Sequence, residues 1–562
     1  MNPTQANYRE SRQQAIDAEI KSLEESIQLL KLRRNALQPI SSLPPEIFDA
    51  IFSSSCLPGI PSLGGDPDRN RTRRCVTHVC HQWRKIALNQ PQLWSHINFN
   101  TGNLVTASQI LFRANLVPLY MEVRAFPGRD DKGQFAVFLK EVRAHLPHIR
   151  HVSIEAESFS FIHYRLENAL VSPAPTLESL LVSFQRDDSL VTVADQLQVF
   201  DTLFGGSTPS LSCLKLRNCN ISWNSPLFQG LKYLEIFTPH KMARPTLALW
   251  LDTLNEIPQL EMLTLHSASP VAARFPFDVE RTVTLPSLTH LDISASLSDC
   301  ALAAAHLDLQ ALTSLCLTAI DPHTNRRGVQ KFLRYVVRHV YGPQDIRPLQ
   351  SVLIRTCESR LELLAWPLPN IDTIVHEPPA FLSATLRTRV KLSFRSEGDD
   401  LLEVFETMMG ALPLDGLLTL VAADLRLFND CNIFWGELAM TMIWCLFFPN
   451  WPLLRRVRLG FDTSSAFMKA LLVDRKDPLL PSLTELALAQ TTLHIRLIHC
   501  LRDALIKRVE QGVPLETLDL RMCYRCSYEE ALSEITIDIL RHLDILGPRL
   551  VPEDTEESVT QG

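Results

Sequence analysis

One short phrase, Pro-x-Leu-x-x-Leu-x-Leu or a close variant, returns along most of this 562-residue chain. It reads PTLESLLV from Pro175, PSLSCLKL from Pro209, PQLEMLTL from Pro258, PSLTHLDI from Pro286, PLQSVLI from Pro348, PLLRRVRL from Pro452, PSLTELAL from Pro481 and PLETLDL from Pro514. Weaker copies are LPHIRHVSI, QGLKYLEI, QALTSLCL and LPNIDTIV. A dozen copies, mostly 20 to 46 residues apart, predict a tandem array in place of several separate cores. Composition agrees, because leucine occupies 90 positions, 16% of the chain, and only a repeated structural use explains such an excess.

The phrase has a direct physical meaning. In PSLSCLKLRNCNI the Leu214-x-Leu216 alternation has period two and predicts a short strand with one buried face, with Leu211 packed behind it. Asn218, Cys219 and Ile221 fit a unit in which a small polar or thiol residue turns the chain away from the strand. Segments between phrases, such as Thr246 to Ile257 and Gly328 to Tyr341, have helical texture. One strand-turn-helix unit cannot bury its own apolar face, so neighbours must stack and their strands must form a parallel sheet.

The first hundred residues differ. Ile16, Ile20, Leu23, Ile27 and Leu30 alternate at spacings of three and four and Leu37 follows one heptad on, which predicts a helix over Gln13 to Leu37 with a heptad seam. Isoleucine at Ile20 and Ile27 with leucine at Leu23 and Leu30 is the arrangement that favours a parallel two-stranded coil, and Glu24, Glu25, Lys31 and Arg33 keep the outside charged. Packing of this seam against the same chain and pairing of residues 13–37 with a second copy both remain open. Pro39 and the Ser41-Ser42 pair end that helix and cap a second, Pro44 to Phe52, whose Ile47, Phe48, Ile51 and Phe52 form an apolar face. Ser55 to Arg74 reads as a loop, and Val76, Val79, Cys80, Trp83 and Ala87 as one further helix, with Pro91, Leu93 and Trp94 closing the unit near residue 100.

These residues resemble two known families. LPPEIFDAIF (Leu43 to Phe52), VTHVCHQWRKIA (Val76 to Ala87) and PQLWSHI (Pro91 to Ile97) look like an F-box domain of the divergent fungal type. The spacing between Pro44 and Trp83 is longer than the common pattern, with the loop insertion 55–74 taking up the difference. Arg69, Arg71, Arg73 and Arg74 stand where a leucine-rich second helix is usual. Residues 146–550 resemble degenerate leucine-rich repeats. The organisation expected is an N-terminal helix (1–38), an F-box (39–100), a connecting segment (101–145), the repeats, and an acidic disordered tail (551–562) carrying Glu553, Asp554, Glu556 and Glu557. In fold-class terms this is α/β, with a repeat horseshoe that has a parallel inner sheet and outer helices.

The resemblance implies a substrate-recognition subunit of an SCF-type, cullin-RING ubiquitin ligase, non-catalytic and without a cofactor, whose F-box binds a Skp-type adaptor and whose repeats hold a protein substrate. By matching position, Leu43, Pro44, Ile47, Ile51 and Phe52 would face the adaptor or support that face, joined by Val79, while Trp83 and Trp94 would pack the F-box core. Substrate choice is expected in strand side chains and in loops such as Pro226 to Gly230 or Asp321 to Gly328. The alternative is a protein-interaction scaffold outside ubiquitination that keeps a decayed F-box for packing.

Other chemistry finds little support. Only 19 glycines are present, and neither Gly64-Gly65 nor Gly205-Gly206 has the flanks of a phosphate loop. Asp66-x-Asp68-x-Asn70 begins like a calcium loop, but Arg71 stands where glycine is required. Cys523 and Cys526 make half a zinc site, and Pro147 interrupts any helical face that would gather His145, His148 and His151, which read as solvated loop residues. A net charge of −7 gives no electrostatic reason to expect nucleic acid. The apolar run Leu438 to Pro449 is too short to span a bilayer and reads as a buried helix. The polar N-terminus lacks a secretory signal, so a cytoplasmic or nuclear location with reduced cysteines is expected.

Overall fold

The computed structural model describes residues 3–56, 67–99, 104–125, 131–156, 170–184, 198–199, 203–238, 244–272, 279–321, 326–341, 348–357, 360–369, 389–395, 400–423, 433–460, 463–493, 495–525 and 549–550. The chain is mixed α/β, with thirteen α-helices among the described residues and strands that pair mainly in parallel. It divides into two compact units, Met1–Cys213 and Leu214–Gly562. The acidic tail, the phrase copy at Ile371–Val375, Cys526 and residues 57–66 of the expected loop lie outside the described residues.

The first unit opens with the long helix α1 (Pro3–Ala36). Three short helices follow: α2 (Pro45–Cys56), α3 (Pro67–His78) and α4 (His81–Leu88). The segment expected to connect two domains is itself built of α5 (Leu104–Ala114), β2 (Leu119–Ala125) and α6 (Asp131–His145). Strand β2 lies between β1 (His96–Asn98) and β3 (Ile149–Ala156), and β4 (Ser179–Phe184) pairs with β3, all in parallel. The β2 sequence LYMEVRA alternates with Leu119, Met121 and Val123 buried, but no proline-led phrase announces it.

In the second unit the repeat phrase shows what its parts do. The proline occupies the second position of a tight turn, where its fixed φ is already suitable, and the leucine two residues later donates its amide back across that turn. Thus Leu260 N bonds Ile257 O at 3.1 Å, Leu288 N bonds Leu285 O at 3.2 Å, Leu454 N bonds Trp451 O at 3.1 Å and Leu483 N bonds Leu480 O at 3.1 Å. All four of those leucines are buried. The next two amides then converge on one carbonyl of the preceding repeat. Glu261 and Met262 share Lys232 O, Thr289 and His290 share Glu261 O, and Thr484 and Glu485 share Arg455 O. The turn therefore sets the register of each strand on its neighbour.

The strands from here on are β5 (Cys213–Arg217, at the division between the units), β6 (Tyr233–Phe237), β7 (Met262–His266), β8 (His290–Ala295), β9 (Ser314–Ala319), β10 (Ser351–Cys357), β11 (Arg360–Trp366), β12 (Val390–Arg395), β13 (Thr419–Ala423), β14 (Arg456–Gly460), β15 (Glu485–Leu493) and β16 (Thr517–Arg525). Helices α7 (Leu247–Asn255), α8 (Leu297–His306), α9 (Arg326–Tyr341), α10 (Asp400–Ala411), α11 (Ile433–Phe447), α12 (Thr463–Leu471) and α13 (Ile495–Glu510) run between them. Two buried rows cross the strands. Ile236, Leu265, Ile293, Leu317 and Leu392 form one, and Leu234, Leu263, Leu291, Leu315 and Val390 the other. Each such side chain contributes about 1.5–3 kcal/mol by leaving water. Long basic side chains join neighbouring repeats: Arg338 of α9 donates to Ala304 O, Ala305 O and Leu307 O at the end of α8, and buried Arg508 donates to Leu479 O, Leu480 O and Leu483 O. Burial pushes the Arg508 guanidinium down to about 10.

Four expectations need correction. The tandem parallel order is interrupted, because β9 pairs with β12, and β11 lies antiparallel between β12 and β10 before β13 resumes the parallel series. Only residues 358 and 359 separate β10 from β11, and a parallel neighbour needs a crossover of a dozen or so residues. Next, the loop expected over Ser55 to Arg74 is helical at both ends, where α2 runs to Cys56 and α3 begins at Pro67. A proline at the first helical position costs nothing, since its missing amide would be unpaired there anyway. Third, α11 is buried on one face only: Met440, Ile443, Trp444 and Phe447 face inward while Leu438, Met442 and Leu446 are exposed. Fourth, His151 is a buried strand residue, and His145 Nδ1 lies 3.1 Å from His148 Nε2. Partial burial and the neighbouring His145 hold His148 below the usual histidine range.

Candidate functional site

The apolar residues of α2 separate into two rows, 47/51 and 48/52, each four residues apart and displaced from the other by one residue, about 100° around the helix. The aromatic row turns inward. Phe48 and Phe52 are fully buried and meet the Trp83 ring edge-on or tilted at 5.5 and 5.3 Å between centroids, contacts typical of packed aromatic pairs. The aliphatic row turns outward, leaving Ile47 45% and Ile51 41% exposed. Ile40 at 43% and Pro44 extend this stripe before the helix, and Val79 at 57% joins the exposed apolar set from the α3–α4 turn. Leu43 is half-buried.

The support behind α2 is polar and specific. Gln90 is buried and its amide donates to Asp49 O at 2.9 Å and Ser53 Oγ at 2.8 Å, clamping α2 to the turn after α4. Cys80 caps α4, its sulfur accepting from Trp83 N at 3.5 Å, and so breaks into two helices what the spacing of Val76 to Ala87 predicts as one. Trp94 is buried, donates its indole N–H to Ala87 O at 2.8 Å and stacks under Arg113, whose guanidinium carbon is 4.8 Å from the ring centre. Arg73, one of the basic run, is buried and donates to His96 O at 2.7 Å. Of the residues assigned to the adaptor face, Pro44, Ile47, Ile51 and Val79 are exposed, Leu43 is at the edge, and Phe52 belongs with Phe48 and Trp83 in the core.

A second candidate surface lies on the side of the second unit's strands that is not packed against helices. Phe237 is 39% exposed and stacks on His266 at 4.2 Å, with the Arg217 guanidinium carbon over its ring at 5.8 Å. Arg217 also forms a 2.7 Å ion pair with Glu235, and Tyr233 Oη donates to Glu261 at 3.1 Å. The sequence reading names this face in general but not these residues. The loop Pro226 to Gly230 is more closed than expected, since Leu227 and Phe228 are buried.

Among the described residues no cluster of three or more His, Cys, Asp or Glu side chains is placed to hold a metal, and no helix is long and apolar enough to cross a membrane. Burial raises the thiols of Cys219, Cys300 and Cys316 far above the ordinary cysteine range, which makes them packing groups in place of nucleophiles. No family model matches the chain, and no curated protein matches it.

Proposed function

We infer that the chain is a non-catalytic substrate receptor of an SCF-type ubiquitin ligase, with residues 39–100 as a divergent F-box that binds a Skp-type adaptor and the later strand-helix units as leucine-rich repeats that hold a protein substrate. The observation that carries this reading is the sorting of α2, in which the aromatic row closes the core and the aliphatic row Ile47 and Ile51, with Ile40, Pro44 and Val79, stays in water. A unit of this size buries little surface by itself, and a set of exposed apolar side chains on it is suited to cover by a partner. The Phe237, His266 and Arg217 patch is the place on the repeats best furnished for a protein partner, since exposed aromatics and arginine dominate binding energy at interfaces. Function then follows from effective concentration: a substrate held beside the ubiquitin-charged enzyme meets it as an intramolecular partner.

Co-purification with a Skp-type adaptor tests the reading. The wild-type chain forms a stable complex, and Ile47→Asp and Ile51→Asp each weaken it by about tenfold or more. Undiminished co-purification of both variants excludes the adaptor face. Absence of any complex with the wild-type chain favours the scaffold reading, in which the helices serve packing alone.

A further inference from the structure

From Glu10 to Arg34 every side chain of α1 is exposed, so the heptad seam has no cover from its own chain. Ile20, Ile27 and Arg34 fall at a positions and Ile16, Leu23, Leu30 and Leu37 at d positions. Intramolecular packing, one of the two open readings of this helix, is therefore not what the structure contains. The charges flanking the seam are unevenly shared. Asp17, Glu19 and Glu24, preceded by Arg12, occupy flanking positions in the first half, and Lys31 and Arg33 in the second.

We propose that α1 pairs with the α1 of a second copy of this chain in antiparallel orientation, the acidic half of each helix lying along the basic half of the other. Charge complementarity selects both the occupant and its direction. In a coiled coil the residues beside the seam meet across the interface and set orientation. Laid antiparallel about its midpoint, the helix brings Glu19 opposite the second copy's Arg33 and Asp17 opposite its Lys31, each pair occurring twice by symmetry. Among the charged flanking residues only Glu24 meets its own counterpart. Laid parallel, Arg12 meets Asp17 twice, but Glu19 also meets Glu24 twice, and Arg34 faces another Arg34 inside the seam. The antiparallel arrangement instead sets Arg34 beside Ile16, where its stem covers the isoleucine and its head reaches water. Mixed layers of Ile20 with Leu30 and Leu23 with Ile27 complete the seam. The aliphatic choice at a and d, which by itself favours a parallel pair, is outweighed because the parallel register collects like charges.

The test is light scattering of the full-length chain at micromolar concentration. The wild-type chain is a dimer. Lys31→Glu with Arg33→Glu raises the dissociation constant by about tenfold or more, because all four attractive pairs become repulsive. Asp17→Lys with Glu19→Lys does the same, and mixing the two variant chains restores a dimer that contains one of each. These positions are exposed on the helix, and unchanged far-ultraviolet dichroism checks that α1 stays folded. A monomeric wild-type chain overturns pairing with a second copy. A Lys31→Glu, Arg33→Glu chain that still dimerises as the wild type does, or a mixture that fails to recover, overturns the antiparallel direction, since neither residue opposes a charge in the parallel register. None of these readings depends on adaptor binding.

Discussion

Strands β7 to β9 and the hairpin β10–β11 belong to the same unit but bury their side chains differently. In β7, β8 and β9 burial alternates strictly: Leu263 and Leu265, Leu291 and Ile293, Leu315 and Leu317 are inside, and the residues between them are partly in water. In β10 and β11 both faces are closed. Val352 and Ile354 face one side with Leu361, Leu363 and Ala365, while Ser351, Leu353, Glu362, Leu364 and Trp366 are buried on the other. The consequence is chemical. A charge on the open face of β8 meets water, whereas Glu362 on the closed face is held by Arg355 at 2.7 Å and approached by Lys391 at 3.7 Å. Repeats with one open face can present side chains to a partner, and the hairpin gives up that option for stability.

The largest effect expected lies where the two regions share a core. Leu317 is in cross-strand register with Ile293 on one side and Leu392 on the other, so it belongs to the row that runs from the regular strands into the hairpin's neighbour. Leu317→Ala should cost about 2–5 kcal/mol, because the cavity is walled by strands that cannot collapse into it. Urea unfolding followed by circular dichroism reads this as a lower midpoint. A loss below about 1 kcal/mol would mean that the row is loosely packed.

The regular strands were legible in the sequence because their physics is local. One proline turn, one buried leucine and two alternating apolar residues specify each, so β4, β7, β8, β14, β15 and β16 all start where their phrases place them. The hairpin was half legible. PLQSVLI marks β10, but RLELLAW and VKLSFR lack the proline, RLELLAW also lacks a clean alternation, and a near-continuous apolar run does not show which face, or which direction, a strand will take. The same limit applied to α2: four apolar residues were visible, but the choice of Phe48 and Phe52 for the core depends on Trp83, more than thirty residues away in sequence. The burial of Gln90 and Arg73 left no local signal, because each bonds a carbonyl distant in sequence.

An intermediate effect separates the two faces directly. The Arg355 and Glu362 side chains are only 16% and 11% exposed. Glu362→Gln keeps the shape but removes the carboxylate that holds Arg355 in a closed site, which should cost about 2 kcal/mol, within the range for breaking a buried charged hydrogen bond. Glu362→Gln together with Arg355→Met removes the guanidinium as well and should recover much of that loss. The same urea midpoints measure both, and equal losses in the single and double variants would show that the pair is not what stabilises the closed face.

The smallest effect is the matched control on an open strand. Asp292 of β8 is 40% exposed and stands 3.8 Å from His266, which carries a charge only when protonated. Both side chains are partly in water, which screens the attraction of such a pair. Asp292→Asn should therefore change stability by about 0.5 kcal/mol or less. The acid-to-amide exchange is of the same kind as at Glu362, but here the face is open and the partner is His266 in place of Arg355. A loss at Asp292 as large as that at Glu362 would remove the distinction between open repeats and closed hairpin, and with it the argument that the open strands are the ones free to receive a partner.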